Sequence, residues 1–461
     1  MLSVDPFTDS VIGEVPEQTP GDVDGLLDSA AREFRRWRSS AVTDRCAALR
    51  EVADLMAARK ASLAALATLE MGKPIRESEA ETDKCISACR WLADNGAGLL
   101  AEDTRVAEPG RRATVSYAPL GVVLGIMPWN FPFWQAVRFI APAVFAGNCA
   151  VLRHASNVPQ CALAVERLFQ DAGLRCVSAI FVSSGRVSDV ISDSRIAAVS
   201  LTGSSDVGSA VAGTAGAQLK PHVLELGGSD AFIVTEDVDL QTVVDAAVRA
   251  RTLNAGQSCV AAKRFLVADR LFDDFVDGVR ARIQALRLGD PSERGTDMGP
   301  LAMPTLAATI RRQLAESISA GGTLIATASE PRDTKSRSFC PPAVMTDVTP
   351  DMPVFAEETF GPVFACTRTP DDSVAIDLAN TSRFGLGSSV WCRDLARAER
   401  VARQLDVGWA AINTRVSSDP ALPFGGIKNS GYGREMGAEG VRQFSNIRTL
   451  IIQEALSSMT Q

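Results

Sequence analysis

The sequence predicts an α/β protein made of two parallel-sheet lobes and a small separate β element. Three observations predict it. From residue 121 short apolar strands alternate with helix-like runs, a second alternating set begins at 231, and the segments 102–119 and 444–455 fall outside both sets. Strand, helical crossover and strand in this rhythm give parallel pairing, with helices covering both sheet faces. The 461 residues suffice for about three domain-sized units or two large lobes.

Taken in order, residues 21–61 read as amphipathic helices. Val23, Leu26, Leu27, Ala30 and Phe34 recur at helical spacing, and Leu49, Val52 and Leu55 repeat the pattern. Residues 79–99 read as another helix. The polar, β-branched run 102–119 contains Pro109-Gly110 and reads as a protruding hairpin. First-lobe strands are expected at 122–126, 149–153, 179–183 and 197–201, with helices at 133–146, 158–173 and 206–218 between them. Second-lobe strands are expected at 231–234, 265–268, 343–346, 362–368, 388–392 and 410–413, with a helix near 271–286. The lobes should meet near residue 227, where LELGG supplies a glycine hinge.

Composition excludes several classes. Lys plus Arg is 47 and Asp plus Glu is 55, a net charge of −8, so there is no overall field for nucleic acid or anionic lipid. With only two histidines, His154 and His222, and no C-x-x-C among ten cysteines, no metal site is expected. Scattered cysteines in a long chain suit a reducing, cytoplasmic protein, and MLSVDPFTDS has no secretory character. Residues 113–152 contain a single charge, Arg138, but Pro128, Pro132 and Pro142 interrupt them. Buried strands around a buried helix fit better than a membrane span.

Four short motifs carry chemistry. SLTGSSDVG at 200–208 places Gly203, Ser204 and Gly208 at a strand-to-helix turn, which suits close approach of a phosphate to the helix N-terminus. NAGQSCV at 254–260 sets Cys259 in a loop of small residues, as an accessible nucleophile needs; alone, it reads as a structural cysteine. LELGGS at 224–229 puts Glu225 in an apolar run, where burial raises a carboxylate toward a general base's range; a salt bridge is the alternative. PWNFP at 128–132 holds Asn130 between prolines, either as an oxyanion donor or in an ordinary Asx turn.

These motifs occur in order with EETFGPV at 357–363 and LPFGGIKNSG at 422–431, and 34 residues separate Glu225 from Cys259. Together they resemble the aldehyde dehydrogenase superfamily across nearly the whole chain. The resemblance implies a Rossmann-like cofactor domain (1–101 and 122–227), a catalytic domain (228–428), and an oligomerisation hairpin and C-terminal strand (102–121 and 429–461). It implies that Cys259 attacks the aldehyde, that Asn130 and the Cys259 N–H hold the oxyanion, and that Glu225 activates water against the thioester. It also implies a nicotinamide cofactor touching Trp129, Asn130, Arg153, His154, Ala155, Ser156, Gly203, Ser204, Gly208, Leu226, Glu358 and Phe360.

The family usually has Lys at 153 and often Glu at 156, and the Glu disfavours a 2′-phosphate. This chain has Arg153 and Ser156, so NADP is expected to be preferred, with NAD also usable. His154 alone reads as a turn residue.

In FWQAVRF, Trp134 and Arg138 share a helix face that lines the family's substrate tunnel. A buried guanidinium requires an anion, either a substrate carboxylate or a remote acid. Ser418 sits on the substrate-side loop, with Arg415 a second candidate. Similarity to short bacterial succinate-semialdehyde dehydrogenases, including SSDPALPFGGIKNSGYGRE at 417–435, implies succinate semialdehyde as substrate. A glutarate or broader aldehyde range, a CoA-acylating enzyme and a non-catalytic binding protein are the alternatives. No cysteine lies within several residues of Cys259, so no local disulfide switch is expected. The C-terminal strand should pair with a neighbouring subunit's hairpin in a homodimer or homotetramer.

Overall fold

The computed structural model describes residues 1–108, 110–329, 331 and 336–453. Pro109 of the expected turn and the end of the C-terminal run, 454–455, lie outside the described residues. The first sheet contains Val122–Met127, Cys149–His154, Val177–Ala179, Ile196–Thr202 and His222–Glu225, edged by Gly431–Tyr432. From that edge the order is 431–432, 222–225, 196–202, 122–127, 149–154, 177–179, parallel except for the edge strand. The chain runs from 122–127 outward to 177–179, then returns to the other side through 196–202. This reversal opens a crevice at the carboxyl ends of strands 122–127 and 196–202, the position where open α/β sheets bind ligands. Both strands are apolar and largely buried, as parallel strands covered on two faces must be.

The second sheet runs in the order 323–327, 343–346, 363–369, 262–268, 230–234, 387–391, 409–412, with only 323–327 antiparallel. The chain passes from one sheet to the other through Gly227 and Gly228. A Cβ on Gly227 would stand 2.2 Å from the Glu358 carboxylate, and one on Gly228 2.7 Å from the Cys259 carbonyl oxygen. These glycines permit close approach of three functional segments, a stronger constraint than the expected hinge.

Two buried carboxylates orient helices of the first lobe. Glu81 Oε1 accepts the N–H groups of Phe133 and Trp134, each at 2.8 Å, at the start of helix Pro132–Phe145. Glu70 accepts those of Gln160 and Cys161, at 3.0 and 2.8 Å, at the start of helix Pro159–Asp171. Negative charge at a helix N-terminus satisfies otherwise unpaired donors and complements the helix dipole. Lys73, fully buried, pairs with Glu81.

Three expectations change. Strand Ser445–Gln453 pairs antiparallel with Arg111–Pro119 of its own chain, which also pairs with Asp103–Glu108. The expected exchange with a neighbour's hairpin is therefore not the pairing adopted. A partner strand in the same chain satisfies the ladder without the entropy of association. The strand expected at 179–183 stops at Ala179, because the N–H groups of Phe181 and Ser183 donate to Gln18 and Glu17 side chains. Strands Leu2–Asp5, Ser10–Glu14 and Thr323–Thr327 were not expected; only the first of them carries fully buried residues. Residues 113–152 form strands around helix 132–145, and among the described residues no helix is long and apolar enough to cross a membrane.

Arg251 latches the second lobe to the loop that bears Glu358 and Phe360. It is fully buried and donates to the carbonyls of Ala262 at 3.1 Å, Thr359 at 2.6 Å, and Gly361. Arg251→Met keeps the stem but leaves three carbonyls without their donor, at about 1–3 kcal/mol each. The urea midpoint of the variant should fall well below that of the parent; an unchanged midpoint would show that the latch does not stabilise the fold.

Candidate active site

Cys259 is placed by an unusual turn. Helix Leu240–Thr252 ends, and Asn254, Ala255 and Gly256 follow at φ 55°, 52° and 77°. Left-handed backbone costs about 1–2 kcal/mol for a non-glycine residue, so the surroundings must enforce it. They do so with hydrogen bonds. Asn254 N–H donates to Glu77 at 2.7 Å, and Asn254 Nδ2 donates to the Asn130 carbonyl at 2.7 Å. Gln257 Oε1 accepts the Ala302 N–H at 2.9 Å. At Gly256 a Cβ would meet the Gly361 carbonyl carbon at 2.6 Å, so only glycine fits. Lys263 Nζ then donates to the carbonyls of Ser258 at 3.0 Å and Cys259 at 2.7 Å. Cys259 emerges half-buried, whereas the other nine cysteines are buried. Burial pushes its thiol up to about 11, against the pull of Arg138 and Lys263.

Asn130 is buried, and its Nδ2 donates to the Gln257 carbonyl at 3.0 Å. The expected oxyanion donor is thus tied to the nucleophile's own loop. Glu225 ends strand 222–225, buried, with neither carboxylate oxygen hydrogen-bonded among the described residues. Burial first, and Glu435 second, raise its carboxyl well above the usual carboxylate range, while Arg138 and Arg434 oppose them. Gly425 leaves room for it: a Cβ there would lie 2.5 Å from Glu225 Oε1.

Arg138 requires a correction. It is buried as expected, but its anion is a remote acid of the chain, Glu435, and its Nη2 donates to Thr202 at 3.3 Å. Its guanidinium lies 4.9 Å from the Phe424 ring centre. The pair forms because strand 431–432 joins the first sheet beside Glu225, which carries Glu435 to the helix bearing Arg138. Sequence proximity contains no sign of this, since 297 residues separate the two.

Cys259, Trp134, Arg138, Arg415 and Ser418 line one cavity of about 650 Å³. Lys84 also lines it; the sequence reading missed it because a lysine on a polar helix carries no motif. Asn130 and Glu225 are not among its lining; Asn130 Oδ1 accepts from the lining Gln135 at 3.4 Å, and Glu225 lies against Gly425, next to the lining Phe424.

The expected cofactor residues gather at the crevice of the first sheet. Trp129 follows strand 122–127 and meets Phe360 edge-on, with ring centres 5.8 Å apart. Gly203 follows strand 196–202, and Ser204 caps helix Ser205–Ala217. A Cβ on Gly203 would approach nothing closer than Leu201, at 3.7 Å, so the approach to the helix N-terminus is open. Glu358 accepts the Gly228 N–H at 3.0 Å and lies 3.7 Å from Lys263. Arg153 is buried at the end of strand 149–154, its Nε without a hydrogen-bond partner among the described residues, beside half-buried Ala155 and exposed Ser156. A phosphate-bearing dinucleotide fits this set: an open helix N-terminus, an orphaned guanidinium donor and a nearby hydroxyl.

Two assignments narrow. His154 Nε2 contacts the Pro132 carbonyl at 2.8 Å, and Nδ1 accepts the Ala155 N–H at 2.9 Å. Burial holds the ring down to about 4, so it is neutral, and both nitrogens are engaged within the chain. Its side chain braces the turn and has no atom left for a ligand. Gly208 is buried against Leu226, where a Cβ would come within 2.6 Å. Its close approach is to that side chain, which it lets the helix pack against.

The aldehyde dehydrogenase family model matches residues 1–450. Succinate-semialdehyde dehydrogenase [NADP(+)] 1 of Mycobacterium tuberculosis is 43% identical over 456 residues, covering 98% of this chain and 99% of its own. A probable succinate-semialdehyde dehydrogenase [NADP(+)] of Synechocystis is 41% identical, covering 98% of this chain and 99% of its own. The crystal structure of succinic semialdehyde dehydrogenase from Streptococcus pyogenes with NADP+ superposes with a TM-score of 0.94 at 32% identity, covering 97% and 99% of the two chains. With matches of this extent and a cysteine-bearing loop set against a dinucleotide crevice, the chain belongs to the aldehyde dehydrogenase family.

Proposed function

We propose that this protein oxidises succinate semialdehyde to succinate and prefers NADP to NAD. The observation that carries the reading is the cavity whose lining Cys259 shares with the cationic side chains of Lys84 and Arg415, neither of which forms an ion pair among the described residues. A thiol and unpaired cations in one cavity suit a small aldehyde with a distal carboxylate. The names of the mycobacterial and cyanobacterial relatives support the same substrate and cofactor.

The residues divide the chemistry. Cys259 adds to the aldehyde carbon; with a thiol held up to about 11, it gives its proton to water as the bond forms. Asn130 and the Cys259 N–H stabilise the oxyanion of the thiohemiacetal. When bound, the dinucleotide supplies a nicotinamide that takes up a hydride equivalent. Trp129 and Phe360, which meet edge-on, would flank its end of the crevice, and Glu358, braced by Gly228 and Lys263, would bind its ribose. The acyl group is then a thioester on Cys259. Glu225 takes a proton from water as that water attacks, and succinate departs. A buried carboxylate without hydrogen-bond donors is a stronger base than an exposed one, which suits this step. The exposed Ile447, Leu450 and Ile451 on strand 445–453 provide the surface for a homo-oligomer.

Glu225→Gln should release one equivalent of reduced cofactor in a burst, with steady-state kcat lower by about 10²–10⁴-fold. Normal steady-state turnover would remove Glu225 from hydrolysis. The pH profile tests its environment. Glu225 must be ionised to accept a proton, so the acid limb of kcat should lie above the ordinary carboxylate range, with activity rising as pH rises through it. Glu435→Gln removes the opposing negative charge and releases Arg138, so the limb should move to lower pH; an unmoved limb would assign it to another group. At the cofactor site, Ser156→Glu places a negative charge beside Arg153. We expect kcat/KM with NADP to fall and the NADP-to-NAD ratio to invert; an unchanged ratio would place the 2′-phosphate elsewhere.

A further inference from the structure

Lys84 stands out among the charges around the cavity. It lies on helix Ile75–Leu99, three residues after the Glu81 that caps helix 132–145. Its Nζ donates to Ser418 Oγ at 2.6 Å and stands 4.4 Å from the Trp134 ring centre. Three segments far apart in sequence therefore converge on one ammonium group.

Most other charges of the cavity have partners, although Arg249 and Arg415 form no ion pair among the described residues. Glu81 pairs with Lys73, Asp245 with Arg282, and Asp297 with Arg76. Glu77 accepts the Asn254 N–H and attracts Arg415. Arg138 is paired with Glu435. Lys84 has no carboxylate partner among the described residues; burial first, and then the like charges of Arg138 and Arg415, hold its ammonium down to about 8. A partly desolvated cation among like charges is stabilised most by an arriving anion. Its hydrogen bond to Ser418 offers that anion a hydroxyl as a second donor, and the Trp134 face confines the short methylene chain.

We propose that Lys84 is the specificity-determining residue of this site, its ammonium receiving the aldehyde's distal carboxylate together with the Ser418 hydroxyl. The inference rests on the reading of the substrate as a carboxylated aldehyde. It assigns to Lys84 the anchoring role that Arg138, already paired, does not fill.

The test compares kcat/KM for succinate semialdehyde and for butanal, which has the same chain length without the carboxylate. In the parent enzyme the ratio should strongly favour succinate semialdehyde. In Lys84→Met the ratio should fall by about 10- to 100-fold, through the KM for succinate semialdehyde, as loss of a charged hydrogen bond implies. Lys84→Gln retains a donor for Ser418 and removes only the charge, so it should show the same selective loss even if the Met variant folds poorly. Lys84→Arg should restore part of the ratio. A parent enzyme with no preference would overturn the substrate reading and this inference with it. A preference that survives in Lys84→Gln, or falls only through equal losses on both aldehydes, would overturn the role of Lys84 and leave the substrate reading standing.

Discussion

The site depends on one buried carboxylate. Glu81 accepts the first free N–H groups of helix 132–145 and is itself neutralised by buried Lys73. A charge taken this far out of water is tolerated only when paired and hydrogen-bonded, and here both conditions are met. The contact locks helix 75–99 to helix 132–145 at one rotation. That rotation turns Trp134 and Arg138 toward the cavity, leaves Asn130 at the mouth of the preceding turn, and brings Lys84 against the Trp134 ring. Removing the carboxylate would free the donors and the rotation together.

From this anchor the electrostatics follow. Helix 132–145 is apolar apart from Gln135 and Arg138, so the guanidinium dominates its local field. Glu435 pairs with it from one side, and Glu225 lies within its influence as well. Two carboxylates near one guanidinium cannot both be fully compensated, and burial with a second negative charge nearby raises the carboxyl that has no hydrogen bonds. Glu225 is that one, so the same arrangement that stabilises Arg138 tunes the base.

Much of this was legible in the sequence. The alternation of apolar strands and helical runs marked most strands of both lobes to within a few residues, though not 222–225, 323–327 or 431–432, because strands buried on both faces must be continuously apolar. Cys259, Glu225 and Asn130 could be singled out because their motifs occur together in a family order, although each motif alone has an ordinary reading. Lys84, Lys263, Arg251 and Glu81 were not. Each acts across a long sequence separation on a backbone or side-chain group, and a single Lys, Arg or Glu on a helix or strand looks like solvated surface. Arg138 was visible as a buried charge, but the identity of its anion was not.

The sequence by itself determined the two parallel-sheet lobes and, through the order of its motifs, the family resemblance that singles out Cys259, Glu225 and Asn130, since these depend on periodicity and on contiguous residues. Only the tertiary structure decided which charges are already paired. It joined Arg138 to Glu435, left Lys84 without a counter-ion among the described residues, occupied both nitrogens of His154, and paired strand 445–453 within its own chain. The physical reason is that charge compensation and strand pairing are set by distance in space, and in a chain of 461 residues the partners that decide them lie up to several hundred positions apart.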